Sequence, residues 1–119
     1  MSDAETSSQG AVVLLNAGAS TSRIAFDRRE LDDILNLYGR MVAAGEWRDY
    51  AIDFLRDKAV FSIFRRTSEM PLYRIVKDPK LAARQGAYSV IAATGLILKR
   101  GHELRRVLAV LEKPLKAVQ

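Results

Sequence analysis

The chain has no cysteine. That removes disulfides, thiolate metal sites and a cysteine nucleophile together, and it fits a reducing compartment. Its single histidine, His102, makes a zinc site built on several imidazoles improbable. No apolar run approaches the roughly 18 residues that a membrane-spanning helix needs. Ahead of the apolar run Ala11–Leu15 stand Asp3 and Glu5 and no Lys or Arg. A signal peptide would lead with basic residues, so the expectation is a cytoplasmic protein without an export signal. Gly-x-Ser-x-Gly, Walker A and Gly-x-Gly-x-x-Gly runs are absent as well, which argues against the commonest hydrolase and nucleotide-binding chemistries.

What is present is enough for one domain. At 119 residues, 49% apolar and 28% charged, the chain can bury a single core without staples. Its charge is lopsided. Residues 1–22 carry −2, and residues 23–57 hold six Lys/Arg against eight Asp/Glu. Residues 58–119 hold thirteen against four, or +9 of a net +5. The basic half is suited to an acidic protein, nucleic acid or an anionic surface, and a solvated basic face without a ligand is the simpler reading.

Residues 1–22 are rich in small polar residues and lack an apolar period, so a disordered or loosely held tail is expected ahead of a domain at 23–119. Within that tail Ala11–Leu15 could pair at a sheet edge. Arg23–Phe26 is read as a short strand entering a helix over 28–44. Asp27 and Glu30 have the spacing of a capping box, and Phe26 is placed to staple onto Leu31. Leu31, Ile34, Leu35, Tyr38, Met41 and Val42 mark the helix's apolar face, and Gly45 its stop.

A meander over 50–77 follows. Its strands are Tyr50–Arg56, Ala59–Arg66 and Pro71–Lys77, joined by Asp57-Lys58 and the loop Thr67–Met70. Pairing Phe54 with Phe61 and Ile52 with Ile63 gathers Tyr50, Ile52, Phe54, Phe61, Ile63, Tyr73 and Ile75 on the face assigned to the helix. Asp-Lys is a poor two-residue turn, which leaves room for a longer loop. The second face carries Leu55, Val60, Phe64, Leu72 and Val76 among Asp53, Ser62, Arg66 and Arg74. It is too apolar to be left in water, so the C-terminal segment or a second copy of the chain is expected to cover it. Lys80–Gly86 is a basic connector with room for one helical turn. Ala87–Arg100 fits a hairpin or a helix, and Gly95 after Thr94, with Tyr88, Val90, Ile91 and Ile97, favours a hairpin over 88–100. Leu104, Val107, Leu108 and Leu111 mark a C-terminal helix over 102–113, stopped by Pro114. The fold class is α+β, with an antiparallel sheet of three to five strands.

No catalytic, cofactor or metal residues are assigned. His102 at a helix start could serve as a base or meet an anion, but an exposed first-turn histidine is the more economical reading. Asp49 and Asp53 share a strand face at a separation of about 13 Å, too far for paired acid/base work. Asp27, Asp32, Asp33, Asp49, Asp53 and Asp57 show no calcium-loop spacing. The functional expectation is a non-catalytic interaction module that binds a protein partner and may self-associate. The alternative is a nucleic-acid-binding protein, with Arg65, Arg66, Arg74, Lys77, Lys80, Arg84, Lys99 and Arg100 as the contact residues in either case.

Four blocks in order, LYGRMVAAGEWRDYAIDFL (Leu37–Leu55), AVFSIFRR (Ala59–Arg66), PLYRI (Pro71–Ile75) and GAYSV…ATGLILKRGHEL (Gly86–Leu104), resemble a family of short bacterial proteins classed as a domain of unknown function. The resemblance spans about residues 23–112. It implies a bacterial cytoplasmic protein and carries no substrate, cofactor or site residue with it.

Overall fold

The computed structural model describes residues 22–66 and 70–112. The expectations for residues 1–21, for Ala11–Leu15 among them, for most of the loop Thr67–Met70, and for Pro114 and the tail after it fall outside those residues.

Helix α1, Arg28–Ala43, has the expected ends. Asp27 Oδ1 accepts from the Glu30 N–H at 2.8 Å, and Glu30 Oε1 accepts from the Asp27 N–H at 2.7 Å, closing the capping box. At the other end Gly45, with φ 79°, donates to the Val42 carbonyl while Glu46 donates to Met41. That is a Schellman stop, and the left-handed φ is why glycine stands there. The buried row is Glu30, Ile34, Leu37 and Met41. Leu35 and Val42, assigned to the core from periodicity, are 38% and 41% exposed. Two adjacent i, i+4, i+7, i+11 rows are apolar apart from Glu30 at the head of one, and the pattern alone cannot say which meets the sheet. The sheet takes the row that begins with Glu30, where it offers Lys77 and Tyr88 as partners.

Five strands follow in one antiparallel sheet, with spatial order equal to chain order. They are β1 Asp49–Phe54, β2 Ala59–Phe64, β3 Tyr73–Lys77, β4 Tyr88–Ala92 and β5 Ile97–Gly101. The face assignments made from alternation hold within the strands, but the register moves by two residues: Phe54 faces Ala59, Ile52 faces Phe61 and Tyr50 faces Ile63. The turn is Arg56-Asp57, with the Leu55 N–H donating to the Lys58 carbonyl at 2.8 Å. A two-residue slip keeps every side chain on its own face. The same displacement recurs between β2 and β3, where Ile63 faces Tyr73 and Phe61 faces Ile75. Residues 88–101 form the hairpin, turned through Gly95 at φ 96°. The connector's expected helical turn is a short 3-10 segment, Pro79–Leu81, capped by Asp78.

The C-terminal helix is shorter than expected. Helix α2 is Leu104–Leu108, tightening into a 3-10 turn at Ala109–Leu111. β5 runs on to Gly101, and Glu103 is still extended, so helix cannot begin at His102. Residues Arg23–Phe26 form no strand. They cross the strand ends, held by the Ile24 N–H on the Leu55 carbonyl and the Arg23 guanidinium on the Phe54 carbonyl.

Both helices pack on one face. Ile34, Leu37, Met41, Leu104, Val107, Leu108 and Leu111 meet Ala59, Phe61, Ile63, Ile75 and Val90 there, together with Phe26 and Trp47. Trp47, to which the periodicity gave no place, is 3% exposed between Tyr38 and Tyr73. Leu72, expected on the second face, packs against this core instead. The described part of the C-terminal segment therefore does not cover the second face.

Candidate functional site

Two regions could carry function, and the first is an acidic cleft at the start of α1. It is an open cavity of about 420 Å³, lined by Asp27, Glu30, Asp33, Tyr88, His102 and Glu103 among others. Glu30 is its most buried charged group, 8% exposed. Its Oε1 accepts from Lys77 Nζ at 2.8 Å as well as from the Asp27 N–H, and its Oε2 accepts from the Tyr88 hydroxyl. Lys77 also donates to the Ala25 carbonyl at 2.9 Å. Burial first, and the Glu30 hydrogen bond and charge next, push the Tyr88 phenol well above its ordinary value.

This cluster couples helix to sheet. A carboxylate that accepts from three donors has most of its roughly four lone-pair sites filled, and a phenol whose pKa is raised stays protonated at neutral pH. The remaining carboxylates are occupied too. Asp27 caps the helix, Asp33 lies 3.5 Å from Arg105, and Glu103 lies 2.8 Å from Arg106. His102 is exposed at the rim. Among the described residues no group of three or more His, Cys, Asp or Glu side chains is placed to hold a metal. Asp49 and Asp53 lie on the opposite face of the sheet, across from Phe64 and Val60.

The second region is that opposite face. Its centre is Val60, Ser62, Phe64, Val76, Ser89 and Ile91, and Arg74 and Arg100 stand among them in the cross-strand register. Arg74 faces Ser62 on one side and Ile91 on the other. Arg100 faces Ser89, sends Nη1 to Gln85 Oε1 at 2.5 Å, and leaves Nε buried without a hydrogen-bond partner. Among the described residues no element packs over this face: α2 touches β4 and β5 from the same side as α1.

The eight basic residues singled out from sequence do not converge on one point. Arg74 and Arg100 share the open face, and Arg66 lies just beyond β2. Lys80 and Arg84 stand exposed on the connector that Gln85 ties to Arg100, with Lys80 4.0 Å from Asp57. Lys99 is exposed on the edge strand β5. Arg65 is exposed and lies 3.8 Å from Glu46. Lys77 belongs to the covered face, its side chain 20% exposed in the pair with Glu30. Sequence reasoning saw Glu30 as a cap and Lys77 as a surface charge. Their union depends on helix α1 and β3 meeting across 47 residues of chain, for which no local signal exists.

No helix among the described residues is long and apolar enough to cross a membrane. Comparison with curated proteins and with solved structures finds no match to the chain. A family model does match, over residues 24–108, which takes in α1, the whole sheet and α2. The chain belongs to the family described as "Protein of unknown function (DUF2794)".

Proposed function

We propose that this protein is a non-catalytic interaction module of the bacterial cytoplasm, and that it binds an acidic protein partner through the open face of its sheet. The observation that carries the reading is the division of the sheet. Both helices lie on one side, and the other presents Val60, Phe64, Val76 and Ile91 with Arg74 and Arg100 among them. An apolar centre with basic residues is the composition of an interface, with arginine the cation suited to partly desolvated pairs. The acidic cleft is the weaker candidate, because its carboxylates are paired with internal donors.

Nucleic acid is the second reading, favoured by the +9 charge of residues 58–119. It is the weaker one because the open face offers a base one ring, Phe64, whereas Tyr50, Phe61 and Tyr73 belong to the covered side. Co-purification from the native cell, with and without nuclease, separates the two. A protein retained after nuclease supports the module, and co-eluting RNA or DNA with a steep salt dependence supports the alternative.

A further inference from the structure

The two edges of the sheet are not equally protected. At β5 the ladder is broken by a bulge at Val90/Ile91, and Lys99 stands exposed on the strand, both common ways of blunting an edge. At β1 there is no bulge, and the strand is exposed along most of its length. Eight large apolar side chains are exposed among the described residues, and five of them, Leu35, Val42, Tyr50, Phe54 and Leu55, border this edge. Leu35 and Val42 belong to the outer row of α1, whose Tyr38 meets Tyr50 ring to ring at 4.9 Å.

We propose that β1 pairs with β1 of a second copy of this chain, antiparallel about a two-fold axis at Ile52, to make a ten-stranded sheet. The register follows from hydrogen-bond parity and charge. The Leu55 N–H to Lys58 carbonyl bond fixes which β1 groups face β2, so those of Tyr50, Ile52 and Phe54 point outward. The free chain caps two of these with side chains: Asp49 accepts from the Tyr50 N–H at 2.8 Å, and Arg23 reaches the Phe54 carbonyl. Centring on Ile52 joins Tyr50 to Phe54 of the other copy and Ile52 to its equivalent, in about six backbone hydrogen bonds. Each Asp53 then faces Ala51. Moving the axis to Ala51 sets Asp49 against Asp53, and moving it to Asp53 sets that carboxylate against itself, and like charges directly opposed are unfavourable. The Ile52 register leaves no carboxylate opposite another. Pairing about this axis also places the two α1 helices on the same face of the joined sheet.

The pairing edge adjoins the open face, Ala51 facing Ser62, but its readout is oligomeric state and not partner capture, so the two ideas fail separately. The full-length chain is expected to elute at twice its own mass in light scattering at high concentration. Ala51 is exposed, so Ala51→Asp folds as the parent while setting two carboxylate pairs opposed across the axis. It should raise the dimer dissociation constant by about tenfold or more, and Ala51→Lys, facing Asp53, should lower it. Because the chain lacks cysteine, Ile52→Cys should cross-link to itself under mild oxidation, the Cα separation of a hydrogen-bonded pair being about 5.5 Å. Asp53→Cys should not. A chain that stays monomeric at every concentration overturns the proposal. So does a dimer that ignores both Ala51 variants and does not cross-link through Ile52→Cys.

Discussion

The two faces of this sheet are made by the same five strands, and they are unlike because of what lies over each. On the covered side Ala59, Phe61, Ile63, Ile75 and Val90 are each 0% exposed, filled in by two helices and Trp47. On the open side Ser62, Val76 and Ser89 are buried although no described helix lies over them, and Val60, Phe64 and Ile91 are half-buried. The difference teaches that the alternation of β2 and β3 encodes a core on one side and a surface on the other. The charge distribution agrees. Among the described residues the ion pair most drawn inside, Lys77–Glu30, sits on the covered side, and Arg74 and Arg100 sit on the other.

The largest loss of stability is expected where the backbone itself is packed. A Cβ on Gly86, which has φ 109°, would lie 2.1 Å from the carbonyl carbon of Gly101. Gly86→Ala should therefore cost about 4 kcal/mol or more, read as lost folded protein in urea titration, because both the left-handed backbone and the close approach forbid the change. Phe61→Ala on the covered side should cost about 3–5 kcal/mol, against about 1 kcal/mol for Phe64→Ala on the open side, by the same titration. Equal losses would mean that the open face is packed as a core.

Glu30→Ala removes the partner of a largely buried ammonium and half of a capping box, and should cost about 3 kcal/mol. Adding Lys77→Met should recover part of that loss, since the uncompensated charge goes with it. Tyr88→Phe is the mildest change, about 1 kcal/mol at neutral pH from one hydrogen bond. Its signature lies at alkaline pH. The folded-state pKa of Tyr88 is raised, so its contribution is intact below the ordinary tyrosine value and is lost as pH rises from there toward the folded value. The parent's stability should fall across that window, and the fall should be shallower in Tyr88→Phe.

Much of this architecture is legible in the residues. Asp27, Glu30 and Gly45 announce both ends of α1, and the alternation of Tyr50, Ile52, Phe54, Phe61 and Ile63 assigns the faces correctly even in a register two residues off. The register itself was not legible, because Arg56-Asp57 and Asp57-Lys58 are both weak turn pairs and a shift of two leaves the apolar pattern intact. Leu37 and Leu35 are the same residue type, and only the position of Lys77 and Tyr88 decides that the row with Leu37 is buried. Trp47 and Gly86 could not be placed either, since each is defined by a contact distant in sequence. The basic residues were found as a charge excess, and their separation into an internal ion pair, an open face and a connector is a property of the fold alone.

Whether the open face is the binding surface is decided by affinity capture from nuclease-treated native lysate with three baits: the parent chain, Phe64→Ser/Arg74→Glu on the open face, and Leu35→Ser on α1. The account predicts a protein that is held by the parent and by Leu35→Ser and released by the open-face variant, with all three baits equally folded by circular dichroism. A partner that the open-face variant retains, or a capture that nuclease abolishes entirely, would contradict it.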